Sequence, residues 1–189
     1  MDSVGLLQRV VDETTGIVDK IDPDQLGNST PCTEWTVRDV LNHITGGSTM
    51  FAVSAEQGSV PDDVLGQLMG GDNLGDDYKG AWKIASTRAM AVFGQPDVLE
   101  KIVKLPFGEM PAGVALDIAI FDVATHATDL ARATGQTIAD TDLLEAALEM
   151  GRRMISPEWR QAGVFGDEQP APADAPVVDR LQAFAGRKV

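Results

Sequence analysis

The sequence predicts an all-α protein, folded as a helical bundle. Three observations carry this. Five segments place apolar residues at helical spacing. Only one short stretch, VLEKIVKLPFG at residues 98–108, alternates in the manner of an extended segment or hairpin arm. No internal repeat or heptad run interrupts the pattern, and long helices joined by loops with little strand signal pack as a bundle.

The first helix is expected over residues 3–21, with Leu6, Leu7, Val10, Val11, Ile17, Val18 and Ile21 on its apolar side. It must stop before Asp22-Pro23, because proline disfavours helix at the residue before it. The second begins near Thr36, where Thr36 and Asp39 fit the cap and third-residue pattern of a helix start. Val37, Val40, Leu41, Ile44 and Phe51 form its face. Gly46-Gly47 lies inside it and costs about 1 kcal/mol per glycine, so close packing or a site is expected there. The third covers residues 76–93, with Trp82, Ala85, Ala89, Val92 and Phe93 on one face and Ile84 to its side. The fourth runs from Pro111, suited to a first turn, to Thr134, with Gly135 suited to the position after the helix. The fifth covers residues 142–155 and ends at Ser156-Pro157. From Gly163 onward, QPAPADAP reads as extended chain, and VVDRLQAFAGR as a short amphipathic stretch that Leu181 and Phe184 would dock on the bundle.

The chain of 189 residues is long enough for one domain with a real core. Its formal charge of −14 repels phosphate backbones and anionic membranes, which argues against nucleic-acid and lipid-surface roles. No apolar run is long enough to span a bilayer, and the first residues lack the basic and apolar regions of a signal peptide. The single cysteine, Cys32, excludes an internal disulfide and fits a reducing compartment, so a cytoplasmic protein is expected.

The fourth helix carries DIAIFDVATHATDLARATG. Asp122 and His126 are four residues apart and so lie on one face, a turn apart, where both can reach one cation. His43, the only other histidine, lies in the second helix beside the glycines. If those helices are neighbours, two imidazoles and a carboxylate converge with coordination positions left open, as in catalytic metal sites. The same spacing also serves a plain helix-face pair.

STPCTEWTVRDVLNHITGG resembles the second-helix motif of the actinobacterial DinB-like proteins, which include the metal-binding domain of mycothiol-dependent maleylpyruvate isomerase. FDVATHATDLARATGQ resembles the other half of that signature, and DAPVVDRLQAFAGR resembles the tail of the group. The resemblance implies an up-down-down-up four-helix bundle with a short extra C-terminal helical segment. It implies a metal held by His43, Asp122 and His126, usually zinc, with nickel or iron(II) as other divalent candidates. It also implies mycothiol as a thiol cofactor, a small-molecule electrophile as its partner, and a homodimer as the state that fits the group. On that basis the chain is expected to form one metal-binding domain over residues 1–189, with 163–189 as an extension packed on it. The implied activity is that of a mycothiol-dependent S-transferase or isomerase-like enzyme. The alternatives are a metal-dependent hydrolase using activated water, and a non-catalytic binding protein with a vestigial site. The isomerase has glutamate where this chain has Asp122, one methylene shorter, and Thr128 stands where many relatives have tryptophan. Only about 34 residues follow the fifth helix, too few for the isomerase's separate C-terminal domain.

Around that core, Asp129 is expected to orient His126 or to pair with Arg132. Cys32 lies eleven residues before His43, about 16 Å away if the helix is extrapolated, and is expected to be a packed structural cysteine that does not share the metal. Trp35 is expected to anchor the helix start in the core, Arg38 to lie on a solvated face or meet an acidic substrate, and PFGEMPAG to form a shaped turn near the bundle mouth. Nucleotide-binding and serine-hydrolase motifs do not occur.

Overall fold

The computed structural model describes residues 2–161, 165–172 and 174–189. Its frame is four long helices: α1 (Ser3–Val18), α2 (Val37–Gln57), α4 (Tyr78–Phe93) and α5 (Ala112–Ala133), with the short α3 (Asp62–Gly70) between α2 and α4. A hairpin of β1 (Ile102–Leu105) and antiparallel β2 (Gly108–Pro111) leads into α5. Helices α6 (Thr141–Met154), α7 (Pro157–Gln161) and α8 (Val177–Phe184) follow.

The side-chain ties fix the helix directions. Ser3 donates to Asp117 and Gln136 to the Ile17 carbonyl, so α1 and α5 run parallel. Trp82, early in α4, donates to Thr15, late in α1, so these two are antiparallel. Arg38 meets Asp72 ahead of α4, and Arg88 pairs with Glu56 near the other end, so α2 and α4 run together. The order is therefore up-down-down-up, and α5 runs antiparallel to α2. Helix α5 is apolar almost all round and buried at Leu116, Ile120, Ala124 and Leu130, as expected of a helix enclosed by neighbours. No helix among the described residues is long and apolar enough to cross a membrane.

Local chemistry explains the helix ends. Thr36 and Asp39 form a reciprocal capping box at the start of α2. Gly135, with φ +69°, takes the left-handed turn after α5. Pro111 closes β2 and caps α5, one position earlier than the first turn. Helix α1 stops at Val18, three residues short of expectation, and a 3₁₀ turn follows at Pro23–Gly27. Helix α3 has no counterpart in the sequence expectation. It is nine residues long with no fully buried side chain, so its apolar periodicity is faint. Pro61 followed by Asp62-Asp63 is its start signal, with the acids placed against the helix dipole. Pro157, read as a stop, begins α7 after a short break. Gly163 and Ala173 of the C-terminal readings lie outside the described residues. Helix α8 docks with Leu181 and Phe184 against Phe121, Leu144 and Leu148.

Candidate metal centre

Antiparallel α2 and α5 bring His43 opposite Asp122 and His126. A methyl group built on Gly46 would come within 2.4 Å of the Leu68 carbonyl, so this glycine lets the α3 connection lie against α2. On Gly47 a methyl would have only Asp122, at 3.9 Å, as a neighbour, so that glycine faces the open site. The two functions expected of the glycine pair are thus divided between its members.

His43 Nε2 lies 3.2 Å from Asp122 Oδ1, and His126 Nε2 lies 3.6 Å from the same oxygen. The imidazole centroids are 4.8 Å apart. One ligand atom from each of the three residues falls within 4.8 Å of the others. Burial would push the Asp122 carboxyl up, yet His43, His126 and Arg187 together hold it down at about 2. Burial likewise opposes charge on His43, but the adjoining Asp122 outweighs it and raises the imidazole pKa. Asp122 is therefore an ionised acceptor at neutral pH, in a setting that draws positive charge.

Asp129 is fully buried, with its Oδ2 3.0 Å from His126 Nδ1. Arg187, beyond α8, donates to the same Oδ2 at 2.7 Å through Nη2 and reaches both carboxylate oxygens at 3.3 Å through Nε. Gln182 of α8 donates to Thr128 at 3.1 Å and contacts Asp129 at 3.4 Å. Burial works against the Asp129 charge, while the bonds from His126 and Arg187 lower its pKa. With Asp129 at Nδ1, Nε2 is the His126 nitrogen that faces Asp122. Two imidazole nitrogens around one carboxylate oxygen make a donor set that suits a divalent metal.

Arg132 does not join this network; its partner is Asp179 on α8. It lies six residues after His126, about 240° round the helix, whereas Asp129 at three residues is back on the same face. Arg187 takes the place expected for it. Nothing in the sequence spacing ties Arg187 to Asp129 across 58 residues; only the docking of α8 does so. Arg38 pairs with Asp72 and stands apart from the site.

Cys32 and Trp35 pack against the core, as expected, but both also lie closer to the site than the helix extrapolation placed them. The chain before α2 is no helical extension but a reversal, with Ser29 bridged to Thr36 and Glu34 in the left-handed region at φ 69°. This folds the segment back over the site. Cys32 offers its sulfur within 4.8 Å of ligand atoms on His126 and Asp129, so the 16 Å extrapolation fails. Burial pushes its thiol pKa up. Trp35, half-buried, stacks on His126 at 5.5 Å and 11° and tilts against His43 at 4.9 Å. It packs against the core, as expected, and also covers the histidines.

The three residues open into a cavity of about 710 Å³. Phe107, from the hairpin turn of PFGEMPAG, and Trp159 of α7 line it. The turn lies at the mouth as expected, whereas Trp159 escaped the sequence reading because a five-residue helix carries no periodic signal.

Fold and site together define an all-α bundle whose middle holds a two-histidine, one-carboxylate cluster at the foot of a cavity. The mycothiol maleylpyruvate isomerase N-terminal domain family matches residues 7–131, and the chain belongs to that family. Two curated Mycobacterium tuberculosis proteins, uncharacterized proteins MT0763 and Rv0738, are each 35% identical to it over 195 aligned positions, covering 100% of both chains. Among solved structures, mycothiol-dependent maleylpyruvate isomerase and a histidine-to-alanine mutant of it match with TM-scores of 0.66 and 0.67 at 17% identity. Each match covers 85% of this chain and 71% of the other. That likeness shows the shared helical fold.

Proposed function

We propose that the protein is a metal-dependent thiol S-transferase or isomerase-like enzyme, with His43, Asp122 and His126 as the ligands of one divalent ion, zinc in the first instance. The observation that carries this is the convergence of three ligand atoms within 4.8 Å beside an open cavity. When bound, the ion supplies Lewis acidity that lowers the pKa of a thiol or water taking an open position. Asp129 and Arg187 fix the His126 ring so that Nε2 is its ligand nitrogen. Trp35 shields the outer side of both imidazoles from water. Mycothiol is the thiol that the family's name supports. The reading takes residues 1–189 as one domain with 163–189 as an extension on it, supported by the packing of α8 on α5 and α6.

A hydrolase reading uses the same ligands without a thiol. Assay of metal-loaded protein against a panel of electrophiles and esters, with and without mycothiol, separates them. The transferase reading expects turnover only with the thiol. Ester turnover without thiol, and no thiol-dependent product, would overturn it in favour of hydrolysis.

A further inference from the structure

The cavity is far larger than an ion and its remaining waters require, since one water takes about 30 Å³, and its walls are unlike the rest of the protein. Six of the ten aromatic residues line it. Five of them form an unbroken run of ring contacts. Phe51 meets Phe107 at 6.3 Å, Phe107 meets Trp159 at 5.8 Å, Trp159 stacks on Phe165 at 6.2 Å, and Phe165 meets Phe121 at 5.8 Å. These rings come from α2, the hairpin turn, α7, the segment after it and α5. Phe107, Trp159 and Phe165 remain only half-buried. Several elements thus hold apolar ring surface open to the cavity, where filling the core would have hidden it.

The charges point the same way. Glu34, Asp39 and Asp122 line the cavity. Among the described residues lining it, Arg187 is the single arginine or lysine, and its guanidinium is engaged by Asp129 and the Ala185 carbonyl. The amino end of α2, which could otherwise attract an anion, is filled by the Asp39 carboxylate of the capping box. With no ion bound, an anionic molecule entering here meets three carboxylates and an arginine that is already engaged.

We infer that the cavity takes an uncharged, apolar molecule bearing an aromatic ring, laid against the Phe51–Phe107–Trp159–Phe165 wall, and discriminates against carboxylates. This names the substrate class of the proposed enzyme and rests on that reading for where the molecule would react, while its binding depends on the wall alone. Two probes of equal ring size test it: 2-naphthylmethanol and 2-naphthoate, titrated calorimetrically into the full chain, as purified and after chelator treatment. In chelator-treated protein the alcohol is expected to bind on the order of tenfold more tightly than the acid. Trp159→Ala and, separately, Phe107→Ala are expected to weaken the alcohol severalfold while leaving the circular dichroism spectrum and metal uptake unchanged. Equal or tighter binding of the acid by chelator-treated protein overturns the inference, as does absence of heat from the alcohol. If both folded variants retain the affinity for the alcohol, the wall is not its seat and the inference fails. Alcohol binding by a protein that takes up no metal would overturn the proposed enzyme and leave this inference standing.

Discussion

Replacing Arg187 by methionine tests the buried network behind His126. An arginine beyond the last helix would ordinarily be a neutral surface position. Here its side chain is 11% exposed and bonded to a carboxylate that is 0% exposed. Removing one partner of a buried ion pair costs about 3–5 kcal/mol, because the other charge is stranded. Asp129 would keep His126 at 3.0 Å and a long contact to Gln182, which places the loss at the lower end, about 3 kcal/mol. Methionine keeps the apolar stem, so lost packing adds little. For a chain of this size each kcal/mol lowers Tm by about 2–4 °C, which predicts a fall of about 6–12 °C. Loss of support for a ligating histidine should also weaken metal binding about 10–100-fold. Thermal melts of chelator-treated protein give the first quantity, and competition titration with a chromophoric chelator gives the second. A Tm within about 2 °C of wild type together with an unchanged metal Kd would refute the reasoning.

The glycine pair in α2 should respond with opposite signs. Gly46→Ala must displace the Leu68 carbonyl and should destabilise by about 1–3 kcal/mol, whereas Gly47→Ala meets open space and should gain up to about 1 kcal/mol of helix propensity. Urea midpoints of equal sign for the two would contradict this. Thr36→Ala removes one half of the capping box and should cost about 1 kcal/mol by the same measurement; no change would mean that the cap is not holding α2. Asp140 accepts hydrogen bonds from Arg9, which lower its folded carboxyl pKa below the unfolded value. Its contribution is therefore complete above the ordinary carboxylate range and disappears as pH falls through the folded pKa. Asp140→Asn should melt below wild type at neutral pH and converge with it in acid; a gap that widens in acid would reverse the sign.

Periodic features were legible in the sequence. The apolar spacing of α1, α2, α4, α5 and α6 located each within a few residues, and Thr36, Asp39 and Gly135 marked real ends. Helical spacing alone placed Asp122 and His126 on one face. His43 was paired with them only through family resemblance, because contacts between helices leave no trace in local periodicity. What lay hidden depends on loops and long-range docking. The reversal at residues 29–36 puts Cys32 and Trp35 over the site, and the preference of the chain to turn there is not visible as a repeat. The docking of α8 substitutes Arg187 for Arg132. The aromatic wall is assembled from five separate segments, none of which predicts the others.

The central claim is that His43, Asp122 and His126 hold one divalent ion. Chelator-treated protein, dialysed against zinc and measured by elemental analysis, should take up one ion per chain. His43→Ala, Asp122→Ala and His126→Ala should each lose it while keeping the helical circular dichroism of the bundle. Full stoichiometric uptake by any of the three folded variants, or none by the wild type, would contradict the account.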